Sequence, residues 1–486
     1  MKAVFKREKK RKREKTPKQK ADRSILLLAY VVAALFLWLM GYMGYFLAVS
    51  REEVINNPYN NARLDNFART VERGKILSSD KTVLAMTENR EGMGEVRVYP
   101  FGALFSHVVG YSSRGKTGLE ELGNFYLLTS HMNPVSQIGE ELAGRKNPGD
   151  QIITTLDLEL QQAASDALGD RKGAVAAMEP DTGRVLVMVS KPDFDSNTIA
   201  DTWESIVSEE GQARLVNRAV QGLYPPGSIF KIFTVLEYIK EHPDDYDQYQ
   251  YDCNGYFKYG DYTLPCYHKT AHGSQTLAQA FANSCNGAFA SLGLQLDKKA
   301  MAETAEQLLF NREQPIALAY SQSRFSMNEE APGWEVLQTA IGQGMTQMTP
   351  MHSLMVTAAI ANKGVLMSPF FIQQVENAVG EPVRRFEPVV YGMMMEEEQA
   401  EILKDMMVRV VTEGTGSALR TENYTAAGKT GSAQFETGKE THAWFTGFAP
   451  AENPRIAVTV IVEEGGSGGQ TAAPVARKIF DVYLGR

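Results

Sequence analysis

The chain has 486 residues, 43% hydrophobic and 22% charged, which excludes a disordered or fibrous protein and leaves room for two or three domains and a large core. Its formal charge of −8 hides an asymmetry: residues 1–23 hold 12 Lys/Arg against 3 Asp/Glu, a net +9 that leaves −17 on the rest. Two environments are implied, and no aromatic pattern or motif elsewhere supports nucleic-acid binding by the basic run.

In chain order, the basic tail (1–23) precedes Ile25–Val49, 25 residues without a charge. At about 1.5 Å per residue this run spans ~37 Å, enough for the ~30 Å hydrocarbon core of a bilayer. It is too long for the apolar part of a signal peptide. We read a single membrane helix over 24–49, with the N-terminus cytoplasmic, everything after Arg51 outside, and Trp38, Tyr42 and Tyr45 as interfacial aromatics. Residues 50–150 mix short alternating runs with polar loops and read as an elongated β-rich spacer. "ERGKILSSDKTVLAMT" predicts a hairpin and "GEVRVYPFG" a strand. A composition shift at "AGRKNPGDQ" starts the main domain, 151–486. There "IITTLDLELQQAASDAL" predicts a strand and then a helix capped by Thr155 or Asp157, and "GAVAAMEPDTGRVLVMVS" two strands joined by a turn. Helical segments fill the middle. "TAAGKTGSAQ", "HAWFTGFAP" and "RIAVTVIVEEGG" predict strands, and "AAPVARKIFDVYL" a final helix. Strands at both ends of a helical middle make this an α+β fold, a sheet packed against helices.

Three motifs carry chemistry. In "YPPGSIFKIFTVLEYIK", Ser228 and Lys231 lie one turn apart at the start of a helix, among Ile229, Phe230, Ile232 and Phe233. A desolvated Lys loses affinity for its proton and becomes a general base for the neighbouring hydroxyl. Taken alone, the pair is more often a helix cap with a snorkelling Lys, since the pattern is common by chance. "SCN" adds Ser284, a candidate proton shuttle, and Asn286, a candidate ligand for a substrate amide. "KTG" adds Lys429, whose charge can bind a carboxylate at an open cleft, Thr430, whose hydroxyl can join it, and Gly431, which leaves a strand bare for an added substrate strand. The ordered set S-x-x-K, S-x-N, K-T-G is the signature of penicillin-recognising serine enzymes. Cys253 and Cys266, followed by His268 and His272, make zinc conceivable, but the spacing fits no tight ligand pattern; the better reading is a hairpin loop, with or without a disulfide. Cys285 reads as a packing residue and His442 as a loop residue. "EEGGSGGQ" lacks the G-K-[ST] of a phosphate loop and reads as a mobile cleft edge.

With these motifs the sequence resembles a class B penicillin-binding protein, a membrane-anchored peptidoglycan transpeptidase of short form. The likeness extends to "RGKILSSDKTVLA", "TGLEELGNFYL", "IGQGMTQMTPM", "EGTGSAL" and "HAWFTGFAP", although Ser79, Thr82 and the KTGSA ending depart from the commoner pattern. The resemblance implies the penicillin-binding transpeptidase fold with a pedestal over 50–150. It implies Ser228 as nucleophile, Lys231 as its base, Ser284 and Asn286 in the polar cleft, and Lys429, Thr430, Gly431 and Ser432 as substrate-binding residues. The oxyanion hole would use the N–H of Ser228 and that of Ser432 or Ala433. No metal or organic cofactor is implied. The implied partners are peptidoglycan stem peptides, lipid-linked precursors, β-lactams and a membrane glycosyltransferase or a division or elongation complex. The chain before Ser228 is too short for a glycosyltransferase domain of its own. A D,D-carboxypeptidase or β-lactamase, a β-lactam sensor and a silent scaffold are the alternatives; the anchor and spacer favour the transpeptidase over the first, the single membrane helix disfavours the second and the intact motif set the third.

Overall fold

The computed structural model describes residues 17–46, 67–209, 211–436 and 438–485. The first 16 residues of the expected basic tail lie outside these, as does 47–66, where the expected membrane span ends and the spacer begins. A helix runs over Pro17–Tyr45. Its stretch Ile25–Tyr45 is the one helix among the described residues long and apolar enough to cross a membrane. Trp38 and Tyr42, four residues apart, share one face with ring centroids 6.3 Å apart.

The chain from Phe67 onward is one compact unit. The expected hairpin forms, with Ile76 opposite Ala85 and Leu77 opposite Val83. It belongs to a six-stranded sheet in the order Pro382–Arg385, Ile372–Glu376, Gln151–Thr154, Ile76–Leu77, Val83–Arg90, Gly94–Val98. This sheet draws strands from both sides of residue 150. Beneath it Glu120 of "TGLEEL" is fully buried and takes Arg73 of "ERGKIL" at 2.6 Å and Arg97 at 2.7 Å. The meeting of those two segments therefore has a packing cause: a buried carboxylate needs charged partners from neighbouring elements.

The second sheet has five strands: β1 (Gly173–Met178), β2 (Val185–Lys191), β3 (Ala427–Ala433), β4 (His442–Ala449) and β5 (Ile456–Val462). Their order is β3-β4-β5-β1-β2, antiparallel throughout, with β3 at the edge. Helices α1 (Leu158–Leu168), α2 (Lys231–Glu241), α3 (Leu277–Ala282), α4 (Asn286–Gln295), α5 (Pro350–Ala361) and α6 (Ala473–Leu484) pack on this sheet or carry the site. Asp157 is the cap of α1, accepting from Leu160 N at 2.9 Å; the Thr155 hydroxyl instead donates to Val185 O. Val175, Ala177, Phe445, Val458 and Val460 face Leu160, Ala164, Ile479 and Phe480 of α1 and α6 in one core. On the other face lies α5, whose twelve residues are all buried; its Thr357 hydroxyl meets Thr446 of β4 at 2.5 Å. Both faces are covered, which is why the strands read as continuous apolar runs without alternation.

Candidate active site

The turn that carries Ser228 is fixed on three sides. Tyr224 pairs with Met348 by two backbone bonds of 3.1 and 2.8 Å, the Trp444 indole donates to Pro225 O at 3.1 Å, and Gly227 N donates to Gly342 O at 2.8 Å. Gly342 has φ +74°, and a Cβ there would stand 2.0 Å from Gly227 O. The chain then makes one 3₁₀ turn, Gly227–Phe230, before α2 begins at Lys231. With three residues per turn, Ser228 and Lys231 fall on the same side. Ser228 is half-buried and Lys231 fully buried.

Ser284 and Asn286 arise from a helix-to-helix junction. Cys285 N donates to Ala280 O at 2.9 Å and Ser284 N to Phe281 O at 3.1 Å, the paired bonds of a Schellman ending for α3. Ser284 occupies the position usually given to glycine, with φ +54°. Cys285 then caps α4, its sulfur accepting from Ala288 N, and Asn286 is the first residue of that helix. The strained Ser284 brings its oxygens to both lysines. Lys231 Nζ donates to Ser284 O at 2.7 Å, Ser284 Oγ at 3.2 Å and Asn286 Oδ1 at 2.9 Å. Lys429 Nζ donates to Ser284 Oγ at 3.0 Å and to Thr430 O at 3.0 Å.

Burial brings the Lys231 ammonium down to about 8, opposed in part by the Cys285 and Cys266 sulfurs. Burial, then the Lys231 charge, holds Lys429 well below the ordinary lysine range. Lys429 is not at an open cleft, as its sequence reading had it, but fully buried beneath β3. Gly431 also has a packing reason to be bare: a Cβ would meet Trp444, Ile229 and Pro226 at 3.1–3.2 Å. Ser228, Ser284, Asn286, Thr430, Gly431 and Ser432 line one cleft of about 430 Å³, with Glu413, Thr415 and Gly468 among the other walls. The Thr430 and Thr415 hydroxyls lie 2.6 Å apart, and Gly468 N donates to Ser432 Oγ at 3.3 Å, so the glycine-rich segment does form a cleft edge. The segments expected to supply the oxyanion donors touch: a Cβ on Gly227 would be 3.0 Å from Ala433 Cβ. All eight residues singled out in the sequence thus gather at one place. The larger cavity of about 790 Å³ between Asp80, Leu158 and Lys478 contains none of them.

The sequence reading missed Thr415, Gly342 and Trp444, although "EGTGSAL", "IGQGMTQMTPM" and "HAWFTGFAP" contain them. It placed His442 in a loop, whereas His442 opens β4, buried and stacked on Phe435. It also kept Cys285 apart from the other cysteines. Here Cys253 Sγ lies 3.6 Å from Cys266 Sγ and 3.3 Å from His272 Nδ1, and Cys266 Sγ lies 3.8 Å from Cys285 Sγ. His268 is exposed and outside the cluster.

Residues 173–481 match the family model of the penicillin-binding protein transpeptidase domain, and residues 73–152 that of the penicillin-binding protein A dimerisation domain. The chain is 32% identical over 454 residues to the peptidoglycan D,D-transpeptidase PbpA of Mycolicibacterium smegmatis, covering 87% of this chain and 90% of that protein. It is similar to the crystal structure of the D,D-transpeptidase domain of a peptidoglycan glycosyltransferase from Eggerthella lenta, with TM-score 0.78, 32% identity, 86% of this chain and 99% of that one. It is also similar to the penicillin G acyl-enzyme complex of penicillin-binding protein A from M. tuberculosis, with TM-score 0.77, 27% identity, 85% of this chain and 99% of that one.

Proposed function

The chain belongs to the class B penicillin-binding proteins, and from that premise we propose that it is a peptidoglycan D,D-transpeptidase working through an acyl-serine at Ser228. The observation that carries the assignment is the Lys231 ammonium position: fully buried, one 3₁₀ turn after Ser228, and tied to Ser284 and Asn286. In its neutral form Lys231 takes the Ser228 proton as Oγ attacks the penultimate D-alanyl carbonyl. Ser284, bonded to both lysines, is the path by which a proton reaches the departing amine. The amide to the terminal D-alanine breaks, that D-alanine leaves as the free amino acid, and an ester remains on Ser228. An amine of a neighbouring stem peptide then attacks the ester, forms the cross-link and returns the proton to Ser228. The amide nitrogen of Asn286 and the open edge of β3 hold the stem. The Thr430 and Ser432 hydroxyls take its terminal carboxylate, with the Lys429 charge beneath them. The N–H groups of Ser228 and of Ser432 or Ala433 stabilise the oxyanion.

β-Lactams are read as the same amide and trap the ester. Glu413 is the one acid among the residues lining the cleft, and it is exposed. Glu237 is engaged by Thr304 and Lys240, and Glu436 by Lys439. Among the described residues no buried carboxylate is therefore aimed at the ester to activate water, and the adduct persists. A fluorescent penicillin labels the protein once, at Ser228, and Ser228→Ala abolishes the label; labelling at another residue, or turnover of many drug equivalents, overturns the assignment. Incubation with un-cross-linked glycan strands separates the transpeptidase, which gives dimers, from a D,D-carboxypeptidase, which gives trimmed monomers.

The topology follows from charge: the basic run 1–23 stays cytoplasmic, the helix anchors the protein, and the pedestal (50–150) and transpeptidase domain (151–486) lie outside. Lipid-linked precursors supply the substrate strands. A membrane glycosyltransferase in a division or elongation complex polymerises them.

A further inference from the structure

We propose that Cys253, Cys266, His272 and Cys285 bind one zinc ion in a closed Cys₃His site, and that this ion clamps the Ser284–Asn286 turn from behind. The proposal stands independently of the transpeptidase reading. Four groups around a tetrahedral zinc, at about 2.3 Å for sulfur and 2.0–2.1 Å for imidazole nitrogen, have edges of roughly 3.8 Å between sulfurs and 3.5 Å between sulfur and nitrogen. The distances here are 3.6 and 3.8 Å between sulfurs and 3.3 Å from Cys253 to His272, and all four ligand atoms lie within 4.8 Å of one another. A disulfide would need about 2.05 Å and would use only two of the three sulfurs.

Two further observations point to thiolates around a cation. Backbone N–H groups point at the sulfurs: Gly255 N donates to Cys253 and Ala288 N to Cys285, each at 3.4 Å. Such donors favour a charged sulfur over a neutral thiol. Secondly, the segment Gln250–Thr276 has almost no core. Its four strands pair only two by two, and apart from Gly255 its buried residues are Cys253, Leu264, Cys266 and Gln275. Two-stranded hairpins are marginal alone in water, and a metal cross-link is one of the few devices that stabilises so small a unit. Three thiolates and an imidazole form a soft set that selects zinc over magnesium or calcium. Four protein ligands leave no open position, so the ion is structural.

Its consequence reaches the cleft through two neighbours. Cys285 lies between Ser284 and Asn286. Cys266 follows Pro265, whose carbonyl accepts from Asn286 Nδ2 at 3.0 Å. A clamp joining Cys266 to Cys285 thus fixes both ends of that bond, and with it the Asn286 Oδ1 that holds Lys231. The residues are positioning residues for that turn, and His272 also stands in the cleft wall.

The full chain, purified in mild detergent without chelator, is expected to carry one equivalent of zinc by plasma mass spectrometry, with its thiols unreactive towards Ellman's reagent until a chelator is added. Replacement by cobalt(II) should give tetrahedral d–d bands and thiolate charge transfer, which needs no variant to fold. Cys253→Ser with His272→Ala should lose the metal. Stripping zinc should slow penicillin acylation roughly tenfold, as loss of a supporting shell typically does, and zinc chloride should restore it. A metal-free chain with freely reactive thiols, or a Cys253–Cys266 disulfide in non-reduced peptide maps, overturns the site. Bound metal whose removal leaves acylation unchanged overturns the clamp.

Discussion

Lys231 ties function to pH. Its conjugate acid is pulled from an ordinary 10.5 to about 8, chiefly by burial. In the proposed mechanism the neutral form is the base, so its fraction grows as pH rises and saturates above that value. Penicillin acylation should therefore climb about tenfold per pH unit below roughly pH 8 and level off above it. Lys231→Arg, charged at every accessible pH, should give no label at any pH in stopped-flow or gel assays. Ser284 offers a second test at the same scale, because two effects on it have opposite signs. Its φ of +54° costs strain that glycine would relieve, while its hydroxyl serves both lysines. Ser284→Gly and Ser284→Ala should lose acylation alike. The Gly variant should nevertheless be more stable than the Ala variant by about 1 kcal/mol in urea unfolding, since only the Ala retains a Cβ in the left-handed region. Equal stability would show that the turn is not strained. The strain at Ser284 makes sense as part of the site: the junction places an oxygen where glycine would place none.

At the scale of elements, residues 73–152 depend on one buried triad. Burial alone would raise the Glu120 carboxyl, but the Arg73 and Arg97 guanidiniums more than offset it and hold it below its ordinary 4.5. A depressed carboxylate contributes stability that is fully present above the unfolded value and lost as pH falls through the folded one. Glu120→Gln leaves two guanidiniums in a closed space without their counter-charge. It should cost about 3–5 kcal/mol by denaturant unfolding, and it should flatten the acid limb of the stability profile near that pH. A loss under about 1 kcal/mol would mean that the triad is hydrated. The six-stranded sheet belongs to the same argument, since Ile372–Glu376 returns from far along the chain to pair with Gln151–Thr154. Damage at Glu120 should therefore lower the melting temperature of the whole compact unit in one cooperative transition.

At the scale of the molecule, charge and apolarity are segregated along the chain. The uncharged run Ile25–Val49 stands between a +9 tail and a −17 body. The body has its own two large sheets and covered cores, so it needs no membrane to bury its apolar surface. A protein lacking Met1–Arg51 should remain in the supernatant after ultracentrifugation and bind penicillin with the rate of the full chain. Partition of that truncated form into partner-free vesicles would show a second membrane-binding surface.

The sequence by itself was enough to find a helix long and apolar enough for a membrane, the α+β class and the three motifs that gather at one cleft, because each rests on local chemistry. A membrane span needs a long uncharged run, strands buried on both faces read as apolar runs, and a Ser activated by Lys needs one turn of spacing. Tertiary structure decided what spacing cannot encode. Lys429 is buried and reaches Ser284 only because the helix Glu397–Thr412 packs on both β3 and α3. Gly342 matters because its missing Cβ admits the Gly227 carbonyl from a segment over a hundred residues earlier. The three cysteines and His272 converge only once the Gln250–Thr276 hairpins have folded back onto the start of α4. Separations of 13, 6 and 13 residues match no compact ligand pattern, and proximity across a closed loop comes from strand pairing rather than from the order of residues along the chain.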